Sequence, residues 1–327
     1  MDKKISAIEI QANTLLIENL KSLKLYDYLQ DNNVTEVMIN PDNKVFIKEM
    51  GKKNYSIGYA DPKKTIQIIN ILAKLRGQVI NESNPTISTV LPLTSSRFEG
   101  LVPLAVENPC FTIRKKIWRN LTLDDYIKQG IITEEIKILL SNYVAQKKNL
   151  LIIGGTDTGK TTFANALLEL MKDERLLLIE EVSELQPIKN DVSCFNVGEG
   201  AMPPKQALRS AMRWSPQRII YGEVRGAEAF DLINAFNSGH SGGLCTIHAN
   251  DCYGGLSKLE TYILYNQPFP LSALIARTIN VLITMVIVNG QRTLDSIAEV
   301  TGYENEKYIL DFKYQKKYDN NEVISQL

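Results

Sequence analysis

Between residues 150 and 171 the chain passes from four consecutive apolar residues, LLII, through Gly154, Gly155, Thr156, Asp157, Thr158, Gly159, Lys160, Thr161 and Thr162 into the helix-compatible stretch TFANALLELM. The spacing G-x-x-x-x-G-K-[ST], with a strand before it and a helix after it, is that of a phosphate-binding loop. Glycines let successive backbone N–H groups turn toward one anion, and the helix N-terminus adds its partial positive charge. In such a loop Lys160 reaches the β and γ phosphates and Thr161 offers its hydroxyl to Mg²⁺, so ATP with Mg²⁺ is the expected ligand pair.

The surrounding pattern supports an α/β region. Short Val/Ile/Leu runs recur at Leu150–Ile153, Leu176–Ile179, Arg218–Tyr221, Leu244–Ile247 and Val281–Val288. Apolar runs without alternation fit strands buried on both faces, and helix-like segments lie between several of them, which predicts a largely parallel sheet. The first third reads differently. Apolar spacing near 3.6 from Ile5 to Gln30 predicts one or two helices, VTEVMI and VFIK flank the turn-forming run Asn40 to Asn43, and a helix is expected over about Pro62–Leu75. Val79 to Leu104, rich in Asn, Ser, Thr and Pro, reads as loop with short strand, and Cys110–Arg114 reads as a last strand. The Thr122-Leu123-Asp124-Asp125 spacing predicts a helix start. The expected organisation is therefore a smaller α+β domain over residues 1–115, a linker over 116–121 and the phosphate-loop domain over 122–327.

A second acidic element is needed before hydrolysis can be considered. Arg218 to Glu223 supplies one, an apolar strand ending in a carboxylate, which places Glu223 in the crevice at the strand's carboxyl end. There it could orient or deprotonate an attacking water. Position 222 is glycine, so Mg²⁺ must draw on Thr161, water and other acids, with Glu180, Glu181 and Glu184 as candidates. A solvated helix start explains that acidic cluster equally well. The chain's two histidines, His240 and His248, flank the strand-like LCTI. A shared metal is not expected of them, whereas γ-phosphate sensing by at least one is. Arg97, Arg114, Arg209, Arg213 and Arg225 are candidate phosphate-binding guanidiniums, and pattern alone does not choose among them.

Composition removes several alternatives. Thirty-seven basic residues balance 37 acidic ones, so no overall field draws the molecule to nucleic acid or anionic lipid, and no aromatic and basic interleaving suggests direct nucleic-acid binding. Four cysteines with no Cys-x-x-Cys pair give neither a zinc ribbon nor a disulfide framework, and reduced thiols in a cytoplasmic protein are expected. The most apolar run, Thr278 to Val288, is far shorter than the roughly 20 residues that span a bilayer, leaving only peripheral attachment open.

With these residues in hand, the chain resembles the traffic ATPases of type IV secretion and conjugation systems, in particular the TrbB-type conjugal transfer branch. The resemblance spans nearly the whole chain. It rests on VTEVMINPDNKVFIKEMGK, LPLTSSRFEGLVPLAVENPCFTIRKK and LTLDDYIKQGIIT, then on NLLIIGGTDTGKTT, IEEVSELQ, RSAMRWSPQRIIYGEVRGAEAFDLINAFNSGHSGGLCTIHAN and GLSKLE. It implies a homo-hexameric ring of RecA-like domains, peripheral at the inner membrane beside the membrane components of a secretion machine. It also implies that Lys160 and Thr161 form Walker A, Glu181 and Glu184 an Asp box, Glu223 the Walker B acid, and His240 and His248 a His box, and that Arg97 and Arg114 reach the nucleotide. Asp157 departs from the family's usual small residue, and Glu181 stands where Asp is usual. An added charge beside a triphosphate disfavours binding or turnover unless it points outward. Two alternatives stay open: a motor of a type IV pilus or type II secretion system, and a nucleotide-gated scaffold ring with little turnover.

Overall fold

The computed structural model describes residues 7–115, 121–187, 191–198, 201–318 and 324–325. It divides into two compact units, Met1–Trp118 and Arg119–Leu327. The linker expected at 116–121 falls, apart from Leu121, outside the described residues.

In the first unit, α1 (Ala7–Ser22) and α2 (Tyr26–Gln30) precede β1 (Val34–Ile39), β2 (Lys44–Glu49), β3 (Tyr55–Tyr59), α3 (Pro62–Leu75), β4 (Thr86–Leu91), β5 (Ser96–Leu101) and β6 (Cys110–Arg114). The α3 helix opens as its sequence dictates, with Asp61 accepting from the Lys63 N–H and Pro62 at the first turn. The strands form one sheet in the order β3-β2-β1-β6-β5-β4, antiparallel throughout. Alternation sends Val37, Ile39, Val45, Ile47, Phe98 and Ile113 to one face, where they pack with Leu16 and Leu20 of α1 and Ile68, Ile69 and Leu72 of α3. The segment read as loop with short strand contains the full hairpin β4–β5, in which Thr86, Ser88, Arg97 and Glu99 lie outward while Thr89 and Ser96 are buried on the same face as Ile87, Leu91 and Phe98. The β6 strand, last in sequence, lies in the middle of the sheet between β1 and β5.

The second unit opens with α4 (Leu123–Lys128), closed by the reciprocal Thr122 and Asp125 capping box, and α5 (Glu134–Ala145). Then come β7 (Leu150–Gly154), α6 (Lys160–Leu168), β8 (Leu176–Glu180), β9 (Val192–Asn196), α7 (Pro204–Ala211), β10 (Arg218–Val224), α8 (Ala229–Asn237), β11 (Leu244–Ile247), α9 (Cys252–Leu264), α10 (Ser272–Thr278), β12 (Val281–Val288), β13 (Gln291–Glu304), β14 (Lys307–Gln315) and β15 (Ile324–Ser325). Their order is β14-β13-β12-β7-β11-β10-β8-β9, with β15 paired to the end of β12. From β12 to β9 every pairing is parallel, and β13, β14 and β15 are antiparallel additions. Both faces of the parallel part are covered, one by α7 to α10 and the other by α4 to α6, which is why β7, β8 and β11 are buried at every position. This is a RecA-like phosphate-loop domain beside a smaller α+β unit. No helix among the described residues is long and apolar enough to cross a membrane.

At the amino-terminal edge of this sheet, the start of β10 buries a full charge. Arg218 is 1% exposed; it donates to Glu174 Oε1 from Nε and Nη2 and to the carbonyls of Gly242 and Val144. Burial opposes ionisation of Glu174, but the Arg218 contact prevails and holds its pKa below the ordinary 4.5. That contribution is therefore present above pH 4.5 and lost as pH falls. Substituting Arg218→Met keeps the bulk and removes the nearest partner of Glu174, leaving Lys147 3.5 Å away, so we expect a loss of about 3 kcal/mol, read as a lower urea midpoint with an unchanged slope.

Candidate functional site

Parallel strands deliver their carboxyl ends to one edge, and the loop after β7 is built there. Gly154 cannot carry a side chain, because a Cβ would overlap the Met285 carbonyl and the Thr158 hydroxyl. The chain then turns through two left-handed residues, Asp157 at φ 61° and Gly159 at φ 91°. Aspartate is among the few non-glycine residues that tolerate this conformation, which accounts for its presence where a small residue was expected. Thr158 Oγ1 closes the loop by donating to the Gly155 carbonyl at 2.9 Å. Thr156 is exposed, and Thr162 is half-buried on the first turn of α6. Lys160 is buried, and its Nζ donates to the carbonyls of Gly154 (3.0 Å) and Gly155 (2.8 Å) and lies 3.3 Å from His248 Nδ1.

From that lysine a chain of charged side chains crosses the ends of adjacent strands. His248, just after β11, has Nε2 2.8 Å from Glu223 Oε1, an ion-pair distance without the alignment of a hydrogen bond. Glu223 Oε2 pairs with Arg225 Nη2 at 2.6 Å, and Arg225 Nη1 pairs with Glu181 Oε2, also at 2.6 Å. Burial pushes the Glu223 pKa up, but His248 and Arg225 together outweigh it and bring it down to about 2. The carboxylate is thus ionised and weakly basic. Its Oε1 is buried and accepts no aligned hydrogen bond among the described residues.

The acidic cluster divides in three. Glu180, at the end of β8, is buried and accepts the Glu184 and Leu185 N–H groups on Oε1, so it shapes the turn. The chain after it turns without forming a helix, which removes the solvated-helix-start explanation. Glu181 belongs to the Arg225 bridge, and Glu184 Oε2 accepts from Thr161 Oγ1 at 3.3 Å. Thr161, Glu184, Glu181 and Glu223 offer hard oxygens of the kind Mg²⁺ takes. Among the described residues no three His, Cys, Asp or Glu side chains converge as a ready metal cage, and Mg²⁺ ordinarily relies on few protein ligands plus substrate phosphates.

The structure places His240 apart from the other candidates. It precedes β11, whose first residue pairs with Leu150 and whose last pairs with Ile153 beside the loop. Gly242 and Gly243 are pinned at that amino end by Arg218, Asn149 and Leu150. His240 therefore lies at the far edge of the sheet from Lys160, beyond a strand about 13 Å long, and not on the loop. Its Nδ1 is buried without a hydrogen bond among the described residues. Of the arginines, Arg225 joins the cluster, Arg209 lies 3.7 Å from Asp231, and Arg213 is exposed. Arg97 and Arg114 sit in the first unit, opposite each other on β5 and β6, with Glu36 3.8 Å from Arg114. Sequence reasoning did not single out Arg292, whose Nε donates to the Asp157 carbonyl at 2.9 Å from 135 residues away. No local motif signals such a contact.

The sequence matches the family described as type II/IV secretion system protein over residues 20–304. The chain belongs to that family. Similar secretion-family relatives include the probable conjugal transfer protein TrbB of Sinorhizobium fredii, 32% identical, the match covering 86% of this chain and 88% of that protein. The type IV secretion system protein VirB11 of Brucella suis is 30% identical, covering 90% and 92%. Among solved structures, the ATPase DotB of Legionella pneumophila shares the fold with a TM-score of 0.58 at 17% identity, covering 90% of this chain and 81% of that one.

The depressed pKa of Glu223 makes a stability prediction. A carboxyl lowered from 4.5 to about 2 contributes stability above pH 4.5 that is lost as pH falls toward 2. By linkage this amounts to about 3 kcal/mol near neutrality. In urea titrations the stability gap between wild type and Glu223→Gln should shrink to less than half its neutral value by about pH 3; a gap independent of pH would contradict the pairing.

Proposed function

We propose that this chain is a Mg²⁺-dependent ATP hydrolase that works as a homo-hexameric ring and powers a type IV secretion or conjugative transfer apparatus, docked on its inner-membrane components. The observation that carries the catalytic part is the Lys160–His248–Glu223–Arg225–Glu181 chain across the carboxyl ends of β7, β11, β10 and β8. The names of the TrbB and VirB11 relatives support the cellular part.

In this reading the loop amides and Lys160 hold the β and γ phosphates, Lys160 exchanging its carbonyl partners for phosphate oxygens. Thr161, with Glu181 and Glu223 through water, would hold Mg²⁺, which when bound neutralises charge on the phosphate oxygens. Glu223 orients the attacking water through Oε1. Its low basicity suits that role better than full proton abstraction, and a loose phosphoryl transfer needs little of the latter. His248 lies against both Lys160 and Glu223, so it is placed to register the γ phosphate at the same time as the acid. Arg97 and Arg114 add positive charge from the first unit. Loss of the γ phosphate removes contacts made only in the closed form, and that difference is the source of movement between the units.

Steady-state hydrolysis over a concentration series, with mass measured on the same samples, tests this reading. Turnover should rise as hexamers form. We expect Lys160→Ala to lose nucleotide binding, and Glu223→Gln to bind ATP but turn over about 10²-fold more slowly. Arg97→Ala and Arg114→Ala should lower kcat with unchanged melting temperature. Hexamers that bind ATP without hydrolysing it would favour the nucleotide-gated scaffold instead.

A further inference from the structure

The phosphate loop is touched from outside its own motif. The β12–β13 hairpin turns through Asn289 (φ 49°) and Gly290 (φ 80°), with Val288 paired to Gln291 and Ile287 to Arg292. Two central residues with positive φ make a type I′ turn, the tightest and best-defined hairpin connection. Arg292 is therefore held one residue beyond a rigid corner. The same β12 strand pairs with β7 up to Met285 opposite Gly154, the first residue of the loop, so the hairpin tip projects past the point where β7 leaves the sheet. The β15 segment pairs with Ile287 and Val288 at that overhang.

From this position the Arg292 side chain makes one hydrogen bond to the loop and fills the space beside Gly159. Its Nε donates to the Asp157 carbonyl at 2.9 Å. Its Cδ lies 2.9 Å from where a Cβ on Gly159 would stand. These are the loop's two left-handed residues. A non-glycine residue in that region is strained, and such strain persists only where the surroundings over-determine it. The backbone amides that must converge on one anion are those whose direction the two residues set.

We propose that Arg292 is a positioning residue for the phosphate loop, bracing Asp157 and Gly159 from the β12–β13 hairpin so that the loop amides are pre-aimed at phosphate. It rests on the nucleotide reading of the loop. It gives Gly159 a second reason to be glycine, since any side chain would displace the arginine as well as strain the backbone. It also makes the hairpin tip, and whatever pairs with its overhang, mechanically continuous with the nucleotide site. The brace acts on the ligand through the loop, so its loss should weaken nucleotide binding more than it slows the bound complex.

The test uses the full chain with Arg292→Leu, which keeps the apolar stem over Gly159 and deletes the donor. Arg292→Gln serves as the second variant should the first not fold. Hydrogen exchange of the amides of residues 156–160 is measured without nucleotide, ADP affinity is measured with and without Mg²⁺, and kcat is separated from KM. We expect loop exchange to quicken and ADP affinity to fall, each about tenfold, with kcat changed less than KM and melting temperature held. Unchanged loop exchange overturns the brace even if affinity falls, because that pattern means direct attraction by the charge. Faster exchange with unaltered ADP affinity overturns it too. Failure of the wild type to bind ADP would instead sink the nucleotide reading.

Discussion

Five charged or titratable side chains stand in a line whose order is the order of the strands. The sheet runs β7, β11, β10, β8, and the residues at or just past their ends are Lys160, His248, Glu223 with Arg225, and Glu181. Neighbouring strands in a sheet are about 4.8 Å apart, close to the reach of one side chain, so each member touches the next without help from elsewhere. From Glu223 through Arg225 to Glu181, negative and positive groups alternate. Removing Arg225 would leave Glu181 and Glu223 side by side, and removing Glu223 would leave Arg225 with one partner. The chemistry at this edge is thus set by register: a slip of one residue in β10 would turn Glu223 to the other face and break the line in the middle.

The opposite edge of the same sheet is fixed by a different device. Arg218 fills the start of β10 with a guanidinium that satisfies Glu174 and two carbonyls, while Asn149 holds Gly243 and Thr278 at the start of β7 and β11. Buried polar groups of this kind tolerate only one register, since any shift leaves a donor or acceptor unmet. Strand ends that are locked at the amino edge arrive in step at the carboxyl edge, where alignment within a few tenths of an ångström matters to a positioned water or phosphate.

Much of this was legible in the sequence. The phosphate loop, the buried strands, the first-unit helices and hairpin, the Thr122 helix start and the placement of Glu223 and His248 at strand ends follow from spacing and apolar pattern, which are local properties. What was not legible depends on contacts distant in sequence. The β4–β5 hairpin was obscured because Thr89 and Ser96 take inward positions, so polar residues interrupt its apolar alternation. The β13–β14 hairpin and the edge strand β9 carry mixed polarity that resembles loop. The choice of Arg225 among five arginines needed the pairing of β8 with β10, and the separate fates of Glu180, Glu181 and Glu184 needed the turn after β8. The places of His240 before β11 and His248 after it were legible, since the two flank one strand-like run.

Charge balance at the loop constrains the rest. Glu181, Glu184, Glu223 and Asp157 bring four carboxylates near the phosphate loop, while Lys160, Arg225 and Arg292 bring three fixed cations. All three are committed to protein acceptors: Arg225 bridges two of the carboxylates, Arg292 Nε holds a carbonyl, and Lys160 Nζ holds the carbonyls of Gly154 and Gly155, which it must exchange for phosphate oxygens. A triphosphate placed there meets one lysine, the loop amides and a helix N-terminus, which suffice to hold a phosphate but not to neutralise the charge that spreads over the equatorial oxygens during transfer. In the proposed function, the cations described at this edge of the second unit leave part of that charge unmatched. In that reading a divalent metal would supply part of the missing charge and the Arg97 and Arg114 guanidiniums the rest. A site that binds nucleotide unaided yet needs outside charge to turn it over is one whose rate can be set by movement.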